Sequence, residues 1–200
     1  MKTLHLAILG STKGTDLLAL IEAIQQKRLR ASIKLVISDQ AQALILQKAQ
    51  AQGLISLFID PQGKSREMFD RELSRILEEA KIDLIVLIGF MRILSTFFVT
   101  RWKNKIINVH PSLLPAFAGY QDQNVHQAVL NAGVKESGCT VHQVTEQVDQ
   151  GPILVQKKCA ILRGDTVETL KARVQILEGV ALIEAIHSLN TPRLEETHES

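Results

Sequence analysis

Apolar positions along this chain fall into two kinds of run, and their alternation predicts the fold. "LHLAIL" (4–9), "SIKLVIS" (32–38), "ISLFID" (55–60), "IDLIVLIGF" (82–90) and "KIINV" (105–109) are short, apolar and largely β-branched, the pattern of strands. The run 82–90 is apolar throughout, as a strand buried on both faces requires. Between these, "LLALIEAIQQKRL" (17–29), "AQALILQKAQAQG" (41–53) and "SREMFDRELSRILEEA" (65–80) carry apolar residues at helical spacing, and a short helix is predicted over 95–102. Gly53 is a stop signal, Ser65 a candidate cap, and Glu67 and Arg71 stand one turn apart.

Strand–helix alternation of this kind implies a parallel sheet covered on both sides. After residue 109 the rhythm changes. A loop (110–121) leads to a helix over 123–132, and "SGCTVHQVT" (137–145) and "ILVQKKCAI" (153–161) are close enough in sequence to pair antiparallel. The closing helix spans 166–189, with Thr166, Glu168 and Thr169 at its start, and the tail 195–200 is expected to fray. The fold class expected is α/β: one three-layer, Rossmann-like domain over 1–190 with a mostly parallel sheet and antiparallel C-terminal strands, then a tail over 191–200.

Composition changes this picture little. Apolar residues make up 46% of the 200, with only 4% aromatic, so the core must rest on Leu, Ile, Val and Ala. A formal charge of +2 is too small to argue for nucleic acid. The basic "QQKRLR" (25–30) falls where the first helix should end, where cations complement the helix dipole. Two cysteines without C-x-x-C spacing predict neither a disulfide framework nor a zinc site, and no metal is expected. The apolar start is too short for a signal peptide, and no run approaches the ~18 apolar residues of a membrane span. A soluble, cytoplasmic protein working on small molecules is expected, as monomer or homodimer.

Ligands of such sheets collect at the carboxyl ends of the strands. Three segments fall there: "GSTKGTD" (10–16), "GFMRILS" (89–95) and "NVHPSLLP" (108–115). The first opens a helix and so offers free N–H groups to an anion, yet its glycines match neither G-x-G-x-x-G nor G-x-x-x-x-G-K, and a structural turn reads as well as a phosphate cradle. Asn108 and His110 are two apart at a strand end and so face one space. An amide can donate to a developing oxyanion and an imidazole can move a proton, while the bland alternative is a capped turn beside a satisfied histidine. In "VDQGP" (148–152), Asp149 sits in a turn and is either an Asx residue or the partner of an imidazole. No serine or cysteine occupies a nucleophile elbow, which favours direct acyl transfer to an attacking acceptor over a covalent intermediate.

"INVHPSLLP", "VDQGPIL" about forty residues later and "GFMRILS" before both together resemble the folate-dependent formyltransferase family over residues 4–189. The resemblance implies a formyltransferase fold and 10-formyltetrahydrofolate as donor and co-substrate. It implies catalytic roles for Asn108, His110 and Asp149, and a pterin site along Arg92, Ile93, Leu94 and Val99 opposite the loop that begins at Val144 and Thr145. It further implies an acceptor bound by Gly14, Thr15, Asp16 and Glu178, with His142 behind the site. Within the family the similarity is strongest to enzymes that formylate the amine of glycinamide ribonucleotide in purine synthesis.

The departures from the family pattern lie on the acceptor side. Ser11-Thr12-Lys13-Gly14-Thr15-Asp16 stands where relatives usually carry Ser-Gly-x-Gly-Ser-Asn, so an acid replaces an amide beside the implied phosphate, which is unfavourable unless Lys13 compensates or Asp16 turns away. The stretch 116–129 is about three residues longer than usual, which bears on the alignment of His126, and Gly179 stands where relatives often have His. An amino-sugar nucleotide is therefore the alternative acceptor, and an idle folate-binding module the alternative of another class. Relatives acting on tRNA add a C-terminal domain and basic surface, and a hydrolase relative adds a domain in front; neither is expected here. Phe90, Met91 and Trp102 read as packing residues, as do His5 and His187.

Overall fold

The computed structural model describes residues 2–120 and 123–191. Five strands run parallel: β1 (Leu4–Leu9), β2 (Ala31–Ser38), β3 (Ser56–Phe58), β4 (Leu84–Leu87) and β5 (Ile106–His110). Strands β6 (Glu136–Gln143) and β7 (Ile153–Ala160) join antiparallel, giving a seven-stranded sheet in the order β3-β2-β1-β4-β5-β6-β7. The helices are α1 (Thr15–Gln25), α2 (Leu44–Ala51), α3 (Arg66–Glu79), α4 (Thr96–Arg101), α5 (Gln123–Asn131) and α6 (Val167–Asn190).

Period-two alternation builds the three layers. Leu6 and Ile8 of β1 face a core shared with α1, α2, α5 and α6, whereas Ala7 and Leu9 face Phe69, Leu73 and Leu77 of α3 and Phe98 of α4. On β5, Ile107 and Val109 point into the first core and Ile106 into the second. Asn108 and His110 therefore share the face of Ile106, as their spacing requires. Strand order reverses between β1 and β4, and such a reversal opens a crevice at the carboxyl ends. Ser11 ties the crevice walls together. Its N–H donates to the Gly89 carbonyl (3.0 Å), its hydroxyl donates to Asp39 (2.6 Å), and that hydroxyl accepts from the Met91 N–H (2.9 Å).

Several local expectations hold at atomic level. Ser65 caps α3 by accepting from the Met68 N–H (3.1 Å), Glu67 pairs with Arg71 (2.6 Å), and Thr166 and Thr169 form a reciprocal capping box on α6. Others need correction. The apolar run 82–90 yields only Leu84–Leu87 as strand, because the chain turns at Gly89 (φ +60°) to bring its carbonyl to Ser11. The strand over 55–60 shrinks to Ser56–Phe58 at the sheet edge, and the helix over 41–53 begins only at Leu44. Helix α1 ends at Gln25 and Lys27 turns to φ +58°, so no basic residue lies in its last turn and "QQKRLR" does not complement its dipole. Trp102 is buried, packed on Phe98, with its indole N–H donating to Ser74 (2.9 Å). Of the expected tail 191–200, only Thr191, which caps α6, falls within the described residues.

Candidate active site

One cleft of about 300 Å³ opens at the reversal point, between the loops after β1, β4 and β5, the loop joining β6 to β7, and one face of α6. Every residue singled out for chemistry or binding lines it: Asn108, His110 and Asp149; Gly14, Thr15, Asp16 and Glu178; Arg92, Ile93, Leu94 and Val99; Val144, Thr145 and His142. Phe90, Met91, Tyr120 and His126 line it too, so Phe90 and Met91 are wall as well as packing. Sequence reasoning missed Lys171 and Gln175, also in the wall. Their signal was helical spacing, since residues 171, 175 and 178 fall on one face of α6. It also missed Gly119, which contributes a backbone N–H to Asp149.

The catalytic candidates form a connected set around the Asp149 carboxylate. One oxygen lies 3.5 Å from His110 Nδ1 and accepts from the Gly119 N–H (2.9 Å), and the other lies 3.6 Å from His142 Nε2. On its far side, His110 Nε2 meets the Phe117 carbonyl at 3.1 Å. A carbonyl only accepts, so Nε2 carries the proton of the neutral ring and Nδ1 presents its lone pair toward Asp149. A proton taken at Nδ1 would then be held by the carboxylate. Asp149 (φ +56°) and Phe117 (φ +61°), which meet the two nitrogens of this ring, both adopt left-handed backbone, a cost that clusters at working sites.

His142 sets the orientation of Asn108. Its Nδ1 donates to the Gln143 carbonyl (2.9 Å), which leaves Nε2 to accept from the Asn108 amide (3.2 Å). The amide is thereby turned with nitrogen toward His142, and its second N–H remains for a ligand oxygen. Cross-strand register makes this possible, since Asn108 lies directly opposite His142 and His110 opposite Thr140. Burial lowers the pKa of His110, against the pull of Asp149. Burial would raise Asp149, but His142 when it is protonated, the Gly119 N–H and His110 when it is protonated outweigh it and hold the acid below the usual carboxylate range.

At the opposite end of the cleft, Asp16 and Glu178 are both buried in its wall. Burial pushes Asp16 up to about 6, opposed by Glu178 and by the field of Lys48. Lys13 was one expected source of compensation, the other being that Asp16 turns away; the field at Asp16 comes from Lys48 of α2, whose ammonium donates to the Lys13 carbonyl (2.7 Å). An acid raised from 3.8 to about 6 is fully neutral in both states at low pH, so its burial carries no penalty there. As pH rises through that window the unfolded chain ionises first and stability is lost. Asp16→Asn should therefore melt with the native protein near pH 4 and be more stable above pH 7, by up to about 3 kcal/mol, read from denaturant titrations at both pH values.

The remaining walls are shaped by the backbone. Ser95 N–H donates to the buried Asp70 of α3 (2.5 Å), which pins the segment carrying Arg92 to Leu94 and aligns the Arg92 guanidinium over the Phe69 ring (4.2 Å). Ile93 stays half exposed along this wall. Opposite, the loop holding Asp149 is drawn in where Gly151 passes beside β6. A Cβ there would stand 1.7 Å from the Gln143 carbonyl oxygen. Gly151→Ala should cost ~1–3 kcal/mol in denaturant titration and lower activity by displacing Asp149 from His110.

Among the described residues no group of three or more His, Cys, Asp or Glu could hold a metal ion, and no helix is long and apolar enough to cross a membrane. A family model described as formyl transferase matches residues 4–186. The chain is 47% identical over 181 residues to the trifunctional purine biosynthetic protein adenosine-3 of Gallus gallus, covering 90% of this chain but 18% of that protein. It is 36% identical to the phosphoribosylglycinamide formyltransferase of Escherichia coli, covering 88% of this chain and 82% of that one. Among solved structures, glycinamide ribonucleotide transformylase 1 from Symbiobacterium toebii superposes with a TM-score of 0.88 at 39% identity, covering 92% of this chain and 86% of the other.

Proposed function

The chain belongs to the formyl transferase family, and from that premise we propose that its cleft transfers a formyl group from 10-formyltetrahydrofolate to the amine of glycinamide ribonucleotide, as a phosphoribosylglycinamide formyltransferase of purine synthesis. The observation that carries the reading is the meeting of Asn108, His110 and Asp149, from segments about forty residues apart, in one connected set at the cleft. The names of the Escherichia coli relative and the Symbiobacterium toebii structure support the choice of acceptor.

The donor supplies the formyl carbon that the acceptor amine attacks. Asn108 donates its second amide N–H to the carbonyl oxygen as that oxygen gains charge, and His142 keeps the amide in this orientation. His110 takes the proton lost by the amine at Nδ1, and Asp149 stabilises the resulting imidazolium. A proton returned from this pair to the departing folate nitrogen closes the cycle with no net change in protonation. The pterin fits the half-apolar slot between the Arg92 to Leu94 segment and the Val144 to Asp149 loop, where Ile93 and Val148 keep exposed apolar surface. Gly14 and Thr15 open α1 and offer its free N–H groups to the acceptor phosphate, with Glu178 turned to the sugar side. Residues 1–190 form the unit to which this activity is assigned.

The test is formyl transfer from 10-formyltetrahydrofolate to glycinamide ribonucleotide, with an amino-sugar nucleotide assayed in parallel. Turnover on the ribonucleotide alone supports the reading. Turnover on the amino sugar alone keeps the chemistry and replaces the acceptor, and folate binding without transfer to either amine overturns the enzymatic assignment.

A further inference from the structure

His110 faces two acceptors and, in its neutral form, carries one ring proton. The Phe117 carbonyl lies 3.1 Å from Nε2, and an Asp149 oxygen lies 3.5 Å from Nδ1. Neither acceptor can donate while Asp149 is ionised, so the two compete for that proton, and the nitrogen left without it is the base. A carboxylate is the stronger acceptor, so the carbonyl prevails only where it is held close. The groups that hold it belong to two side chains that do not line the cleft, Thr140 and Gln156.

His110 of β5 stands directly opposite Thr140 of β6, and Thr140 opposite Gln156 of β7, so the three side chains form one row on one face of the sheet. Thr140 is fully buried and its hydroxyl is saturated. It donates to the Ser112 carbonyl (2.7 Å) and accepts from the Leu114 N–H (3.0 Å) and the Gln156 amide (3.0 Å). Gln156 donates again to the Leu114 carbonyl (2.8 Å), and the Ser112 hydroxyl donates to the Ala116 carbonyl (2.7 Å). The loop after His110 is thus fastened to β6 and β7 at Ser112 and Leu114 and closed on itself at Ala116. Phe117 follows at once with φ +61°, so the direction of its carbonyl depends on where Ala116 is held. Two residues later the same loop gives the Gly119 N–H to Asp149.

We propose that Thr140 and Gln156 are positioning residues for proton transfer: through the loop they fasten, they hold the Phe117 carbonyl against His110 and so keep Nδ1, the nitrogen facing Asp149, as the base. The kinetic consequence rests on the formyl-transfer reading given above; the choice of nitrogen does not. When the fastening is cut, the carbonyl recedes and Asp149 draws the ring proton to Nδ1. The lone pair then stands at Nε2, on the loop side of the ring, and the base that the amine's proton would reach beside Asp149 is gone.

Nitrogen-15 spectra of the histidines, taken on the ligand-free protein at about pH 8 where a buried imidazole is neutral, read the protonated nitrogen directly. In the native protein His110 should carry its proton on Nε2. Thr140→Val keeps the shape and removes the hydroxyl, so the Nδ1–H form should become the major one, and Thr140→Ser should restore the native form. Gln156→Leu removes two of the donated bonds at an exposed position and should shift the ring in the same direction. It carries the test if Thr140→Val does not fold. In formyl transfer, kcat should fall ~10–10²-fold in Thr140→Val, with each KM within a few-fold of native, and recover in Thr140→Ser. Folded variants that are less stable in a thermal melt, yet keep the Nε2–H ring and the native kcat, overturn the proposal, as does a native ring protonated on Nδ1. If the native protein transfers no formyl group to either amine tested above, the functional reading falls and the spectra alone decide the choice of nitrogen.

Discussion

Alanine at position 108 is expected to lower kcat for formyl transfer by ~10²–10³ while the KM of each substrate changes only a few-fold. The reason is differential binding. A formyl oxygen in the bound donor carries little charge, and only as the amine adds does it become an oxyanion that needs a strong donor. The Asn108 amide has one N–H committed to His142 at 3.2 Å, so the group is held in place before the charge appears. Backbone pairing of Asn108 with Leu87 and His142 does not involve its side chain, so the variant should fold, which a thermal melt checks. A large rise in KM at unchanged kcat would make Asn108 a ground-state binding residue and remove it from the mechanism.

Replacing Asp149 by asparagine should lower kcat by ~10²–10⁴, the span that positioned proton transfer contributes. The amide keeps the shape and can still accept from the Gly119 N–H, but it cannot stabilise an imidazolium across the 3.5 Å to His110. The sign of the accompanying titration is determined. Burial already lowers His110, and Asp149 is the charge that opposes it, so the variant's His110 should titrate lower still, read from imidazole resonances. The ascending limb of kcat/KM that reports deprotonation of this ring should move to lower pH with it. Stability should move the opposite way on acidification. The depressed carboxyl of the native protein contributes above its unfolded pKa and loses that contribution as pH falls through the folded value, so Asp149→Asn should lose less stability than the native chain below about pH 4. A variant with unchanged kcat and an unmoved His110 would remove Asp149 from the proton path.

Much of this was legible locally. Period-two alternation on β5 placed Asn108 and His110 on one face. Helical spacing and hydroxyl caps located α3 and α6, with ends within a residue or two, because a helix start is decided by the few side chains around it. Strand lengths were less legible. An apolar run says that residues are buried, not that they pair, and Ile88 to Phe90 are drawn out of the sheet by the turn at Gly89 that serves Ser11. Sequence proximity offered only Lys13 as a cation for Asp16, with a turned-away side chain as the alternative, whereas Lys48 arrives from the next helix.

By itself, the sequence determined the order and type of the elements, the parallel sheet with its antiparallel end, and the residue types able to do the chemistry. These rest on periodicity, turn chemistry and side-chain reactivity, which need no knowledge of distance. Tertiary structure alone decided which groups meet. His142 reaches Asn108 because β6 pairs with β5 in one register, and Asp149 reaches both imidazoles because Gly151 lets its loop pass against β6. Asp16 and Glu178 share one wall of the cleft because α1 and α6 pack so closely that a Cβ on Gly179 would stand 2.8 Å from that of Ala19. Hydrogen bonds and proton affinities vary over tenths of an ångström and with exclusion of water, and closing the chain on itself is what sets both.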